Sequence, residues 1–264
     1  MIFADLTYKT IKAQTLEKVV ILPLGATEQH GPHMAVSTDT NIVTHVASRC
    51  EALLPDDILL CPALPFGSSH HHLSFGGTLS ISITTYTQAI VELVESLLNN
   101  GFRKIVLLNG HGGNITPVKQ ALAVLGNRYD STISPNIALV TYWETAGNIF
   151  AGAAPMESPA LSHACEYETS MMLHLFPEKV WMNLAERSAR PDTNGFIPFE
   201  DDEPYKGVTL FKQTAYISSN GSSGQPQLAT AEKGRHLIEN AIRSVSDFIT
   251  SFKNWPLLPD LSHE

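Results

Sequence analysis

Cysteine is scarce in this 264-residue chain: Cys50, Cys61 and Cys165 are the only three, and no CxxC occurs. An odd, sparse set excludes a disulfide scaffold and suits a reducing compartment. Positive charge is also short. There are 17 Lys and Arg against 26 Asp and Glu, a net charge of −9, and no Lys/Arg-rich run. That balance argues against nucleic acid and anionic membranes as partners and leaves a small-molecule substrate open. No apolar run approaches the ~18 residues of a membrane span. The opening MIFADLTYKT has neither the basic n-region nor the apolar h-region of a signal peptide. The expectation is a cytoplasmic, soluble protein.

What is present suits one filled core. Hydrophobic residues make up 43% and charged residues 16%, a globular balance. The length fits a single large α/β domain over residues 1–264. Short β-branched runs alternate with longer amphipathic ones. Strands are expected at 18–24, 58–64, 103–110 and 136–143, and helices at 40–54, 84–101, 116–129, 163–176 and 228–252. Between about 187 and 227 the pattern gives way to Gly, Pro, Ser and Asp, read as long loops. Strand–helix alternation predicts a three-layer α/β/α fold around a mainly parallel sheet, with ligands at the carboxyl ends of its strands.

Unusual polar residues fall just there. Glu28, His30, His33 and Asp39 follow the first expected strand. His70, His71 and His72 follow the second, His111 the third, and Glu144 the fourth, with His163, Glu166 and Glu168 further on. In a parallel sheet these emerge at one rim, which is how a composite metal site is assembled. A lone loop histidine is usually solvated; several converging with carboxylates are harder to explain that way. His45 and His174 sit in helical patterns and read as structural. Mixed His and carboxylate donors without cysteine suit Zn²⁺, Mn²⁺ or Fe²⁺, and Asp39 can bridge two ions. Such a pair activates water for hydrolysis of an amide-like C–N bond. The alternative is a non-catalytic nucleotide or phosphometabolite binder that uses NGHGGN (109–114) as an anion nest. No GxSxG serine-hydrolase motif occurs.

Taken in order, the motifs resemble those of the creatininase (creatinine amidohydrolase) family. LPLGATEQHGPHMAVSTDT is similar to its opening motif, HLSFGGTLSI to its H-x-x-F-P-G-T segment and LLNGHGGN to its N-G-H-G-G-N loop. SHACEYETSMML is similar to H-A-G-E-x-E-T-S, and GSSGQPQLATAEKG to the family's tail. The matches run from about residue 19 to 236. The resemblance implies a binuclear divalent metal centre, a homohexamer, and hydrolysis of cyclic amide or formamide-type bonds. By motif, Glu28 and His111 hold one metal, His30 the other, and Asp39 bridges both. Creatininases proper carry an acid two residues after the loop histidine; Gly113 stands there. The GHGGN branch implies Glu166 as the replacement ligand, with Glu168 left to a structural role. His163 is the implied proton-transfer residue. Ser68, His72, Gly112 and Gly113 are the substrate-binding candidates. Ser162, Pro159 and Gly76 depart from creatininases proper, so creatinine is not the expected substrate. Other branches of the family act on formamidopyrimidines, a cyclic ketose or peptides.

Overall fold

Val19, Val20, Ile21, Leu22 and Leu24 are all buried, so β1 (Val19–Leu24) presents apolar side chains to both of its faces. Such a strand belongs in a parallel sheet covered on both sides. The computed structural model describes residues 1–14, 18–128, 134–145, 156–158, 161–189 and 211–259. In it, β1 joins β2 (Ile58–Leu60), β3 (Lys104–Asn109) and β4 (Asn136–Thr141) in the order β2-β1-β3-β4, with every neighbouring pair parallel. Ile21 pairs with Leu60 on one side and Val106 on the other.

Val19 and Ile21 pack towards α2 (Thr38–Leu53), α6 (Glu166–Leu175) and α7 (Ala231–Lys253). Val20, Leu22 and Leu24 pack towards α1 (Tyr8–Lys12), α3 (Ile83–Asn99) and α4 (Ile115–Arg128). The three-layer α/β/α fold is as expected from the sequence. The chain leaves β1 towards β2 but leaves β3 towards β4, so the strand order reverses between β1 and β3. A crevice opens at the carboxyl ends of two such strands. The motifs that follow β1 and β3 both enter it.

Boundaries differ from the sequence reading where local chemistry intervenes. The second strand stops at Leu60, just before Pro62; Leu64 then returns as an isolated bridge to Leu24. β4 gives way at Tyr142 to the short α5 (Tyr142–Thr145). The expected helix 163–176 begins only at Glu166, which leaves His163 in the turn before it. α1 was not foreseen; it is a single turn capped by the Thr7 hydroxyl. Thr230 and Ser82 cap α7 and α3 in the same way. Pro23 lies inside β1, yet its missing N–H falls on the side where the β2 ladder has ended. The end of the expected helix 116–129, and 190–210 of the loop region, lie outside the described residues. No helix among the described residues is long and apolar enough to cross a membrane.

Candidate metal centre

Asp39 stands in the first turn of α2, buried, with Oδ1 at 3.1 Å from His30 Nε2 and Oδ2 at 3.0 Å from His111 Nδ1. Gly110 makes this possible: a Cβ there would lie 2.6 Å from Val43 Cβ, so only glycine lets α2 press onto the end of β3. Glu28, from the loop after β1, aims Oε1 at three imidazoles: His111 Nδ1 at 3.4 Å, His163 Nδ1 at 3.5 Å and His72 Nε2 at 3.6 Å. Glu168, from α6, joins His30 and His163. Three groups result, Glu28/Asp39/His111, His30/His163/Glu168 and Glu28/His72/His163, each with its donor atoms within 4.8 Å of one another.

The outer nitrogens of the imidazoles explain their orientation. His30 Nδ1 lies 3.1 Å from the Glu28 carbonyl, His111 Nε2 3.2 Å from the Ser68 carbonyl and His163 Nε2 2.8 Å from the Gln29 carbonyl. A carbonyl only accepts, so each outer nitrogen carries the hydrogen. Each inner nitrogen of a neutral ring then points a lone pair at carboxylates. Two lone pairs facing each other need a cation or a proton between them. Glu28 Oε2 and Asp39 Oδ2 are buried without a hydrogen bond, a state that native proteins rarely tolerate. Anchored outer N–H groups, inward lone pairs and orphaned carboxylate oxygens fit a divalent cation site.

The electrostatics agree. Burial favours neutral His30, but Asp39, Glu168 and Glu28 outweigh it and raise its pKa to about 10. His111 is likewise raised, against burial, by Glu28 and Asp39. Burial pulls Glu28 up, yet His111, His163 and His72 hold it well below the usual carboxylate range. Burial, with Asp39 and Glu28 adding to it, lifts Glu168 to about 7 against the opposing pull of His30. Burial and the neighbouring His30 and His72 keep His163 well below the ordinary histidine value. In His72 burial dominates and lowers the pKa to about 3.

Of the residues expected at the site, the fold gathers Glu28, His30, Asp39, His111, His163 and His72. It does not gather Glu166. That carboxylate is buried elsewhere, accepting from Lys233 Nζ at 2.6 Å and from the backbone N–H groups of Glu157 and Ser158 at 3.2 and 2.7 Å. Two residues along an α-helix is a rotation of about 200°, so Glu166 and Glu168 face opposite ways and Glu168 reaches the cluster. Ala164, at φ 51°, makes the turn that aims His163, and its N–H donates to Glu168 Oε2 at 2.6 Å. Gly113 stays free of a side chain for a physical reason. A Cβ there would sit 2.2 Å from the Ser68 carbonyl oxygen and 2.5 Å from His111 Nε2. His33 stands apart from the three groups; its Nε2 meets Thr169 Oγ1 at 2.9 Å, next to Glu168.

The cluster floors a cavity of about 260 Å³ that His72, Gly112 and Gly113 also line, with Trp143 and Leu161 as apolar walls. A larger cavity of about 650 Å³ adjoins it, sharing His71, Gly112 and Gly113 and bringing in Ser68 and Phe211. Sequence reading missed Gln29, Trp143 and Lys233. Gln29 carried a signal, standing between two candidate ligands; Trp143 and Lys233 did not.

Residues 4–249 match the model of the creatininase family, described as creatinine amidohydrolase. The chain belongs to the creatininase family, and it is a hydrolase of that family. It is 31% identical over 250 residues to the mycofactocin precursor peptide peptidase of Mycobacterium tuberculosis, covering 91% of this chain and 87% of that protein. Among solved structures, a creatinine amidohydrolase superposes with a TM-score of 0.79 at 25% identity over 97% of this chain and 98% of that one. A creatininase described as its Mn form gives 0.77 at 25% identity, over 95% and 97%.

Proposed function

We propose that this protein hydrolyses a C–N bond of amide, cyclic-amide or formamide type with two divalent cations, Zn²⁺, Mn²⁺ or Fe²⁺, per subunit. The observation that carries this reading is Asp39, whose two oxygens face His30 and His111 separately. Glu28, Asp39 and His111 would hold one cation; His30, Asp39 and Glu168 the other. Bound cations supply a Lewis acid for a carbonyl oxygen and a water acidified towards about pH 7. His163 lies at the mouth with 18% of its side chain exposed. Its Nε2–H is fixed on a carbonyl, so Nδ1 is the atom that takes a proton from the nucleophile and returns it to the leaving amine. Trp143 and Leu161 exclude water from that exchange.

The adjoining cavity supports a substrate larger than creatinine, its reacting bond at the cluster and its remainder against Ser68, Gly112 and Gly113. Three free, buried cysteines support a cytoplasmic location, and the family resemblance alone supports a homohexamer. The anion-nest alternative is weaker. Asn109 Oδ1 already accepts the His111 N–H, and the Asn114 N–H is spent on the His111 carbonyl. An anion at that loop would also face Glu28 and Asp39.

The test is a hydrolysis panel with metal-loaded protein: creatinine, formamides, hydantoins, lactams and formamidopyrimidines, each with and without EDTA. EDTA-sensitive turnover of a C–N substrate supports the reading. No turnover across the panel, with phosphometabolite binding that EDTA leaves intact, contradicts it.

A further inference from the structure

Gln29 sits between the two ligand candidates Glu28 and His30 and is itself buried. Two contacts fix its amide without ambiguity. Oε1 accepts the Gly31 N–H at 2.9 Å, and Nε2 donates to the Gly221 carbonyl at 2.9 Å. One amide hydrogen remains. Nε2 lies 2.7 Å from His72 Nδ1 and 3.0 Å from His163 Nε2. His163 Nε2 already carries a hydrogen directed at the Gln29 carbonyl, 2.8 Å away, so it cannot accept another. The remaining hydrogen therefore goes to His72 Nδ1, which the Thr214 hydroxyl also approaches at 3.0 Å. A nitrogen that accepts carries no proton.

We infer that Gln29 is a positioning residue that sets the Nε2–H tautomer in both His72 and His163, two rings that turn opposite nitrogens towards Glu28. Its side chain leaves the His72 proton on Nε2, and its main-chain carbonyl leaves the His163 lone pair on Nδ1. The two rings lie 4.1 Å apart between centroids, and both inner nitrogens face Glu28 Oε1. His72 thus presents an N–H and His163 a bare nitrogen to one small cavity. An amide needs that pairing: a donor for its carbonyl oxygen and an acceptor for the proton that ends on its nitrogen. A proton on the wrong nitrogen of either ring would remove one of the two.

This inference deepens the proposed hydrolase reading, but its main test needs no substrate. Long-range ¹H–¹⁵N correlation of protein labelled at histidine, zinc-loaded and metal-free, reads the tautomer of each ring, with His72→Phe assigning the His72 signals. The wild type is expected to show His72 protonated at Nε2 and bare at Nδ1, and His163 protonated at Nε2. Gln29→Glu replaces the amide donor with an acceptor and should move the His72 proton to Nδ1 while His163 keeps its tautomer. With any substrate found, Gln29→Glu should lower kcat about 10–100-fold, the usual effect of removing a partner that orients a site group, with KM within about twofold. His72 protonated at Nδ1 in the wild type overturns the inference even if the variant does not fold. So does an unchanged His72 tautomer in folded Gln29→Glu protein. Absence of turnover alone counts against the proposed function and leaves the tautomer result standing.

Discussion

Lys233 Nζ meets Glu166 Oε1 at 2.6 Å, joining the C-terminal helix α7 to the first turn of α6 beneath the turn that carries His163. Glu166 is fully buried and Lys233 nearly so. Removing one partner of a buried pair leaves the other charge uncompensated, at a cost of about 3–5 kcal/mol. Glu166→Ala is therefore expected to lower the melting temperature sharply while the folded fraction keeps its metal. Glu168→Ala should do the reverse, losing at least one cation at a smaller cost in stability. Calorimetry paired with metal analysis separates the two. Equal metal loss in both variants would contradict the division of roles.

Asp39→Ala removes the carboxylate that faces both His30 and His111 and should abolish binding of both cations. His163→Ala should keep them and lose about 10²–10⁴-fold in turnover, the range for general acid–base groups. Elemental analysis beside kinetics checks the pair. Fully active, metal-bound His163→Ala protein would remove His163 from the mechanism.

The pH dependence has a definite sign. A histidine raised to about 10 in the folded state, as His30 is, stabilises fully below its unfolded value near 6.5. That stability is lost as pH rises through about 10. His111, raised in the same direction, adds to the slope. Metal-free protein should therefore lose stability between about pH 6.5 and 10, and cation affinity should rise over the same window because metal displaces those protons. Below it, Glu28, His72 and His163, all shifted down, reverse the trend. Calorimetric titration in buffers of differing ionisation enthalpy would show the proton release. Metal binding without proton release near pH 8 would contradict the assignment.

Gly113→Glu would restore the acid that creatininases proper place after the loop histidine. Because a Cβ there collides with the Ser68 carbonyl and His111 Nε2, the variant should displace His111, lower metal content and reduce stability. Gly113→Ala should show the same effects to a smaller degree. Unchanged metal content in both would mean the loop moves aside freely.

The layers and the rim of the sheet were legible because apolar runs and strand–helix alternation are local signals. Glu28, His30 and His111 were legible because each follows a strand end at short range, and Asp39 because it belongs to the same motif as Glu28 and His30. The choice between Glu166 and Glu168 was not. It depends on the phase at which α6 starts, and the turn at Ala164 delays that start by three residues from His163. It depends also on Lys233, 67 residues away, which claims Glu166. Gly113 could be read as missing an acid. That it excludes one follows only from the Ser68 carbonyl packed against it.

The central claim is that one buried cluster holds two cations, with Asp39 between them. It is tested most directly by the metal-to-chain ratio of purified protein loaded with Zn²⁺ or Mn²⁺ and freed of excess, with Asp39→Ala in parallel. A ratio near two in the wild type and near zero in the variant is the expected result. A ratio near zero in the wild type, or a ratio that Asp39→Ala leaves unchanged, contradicts it.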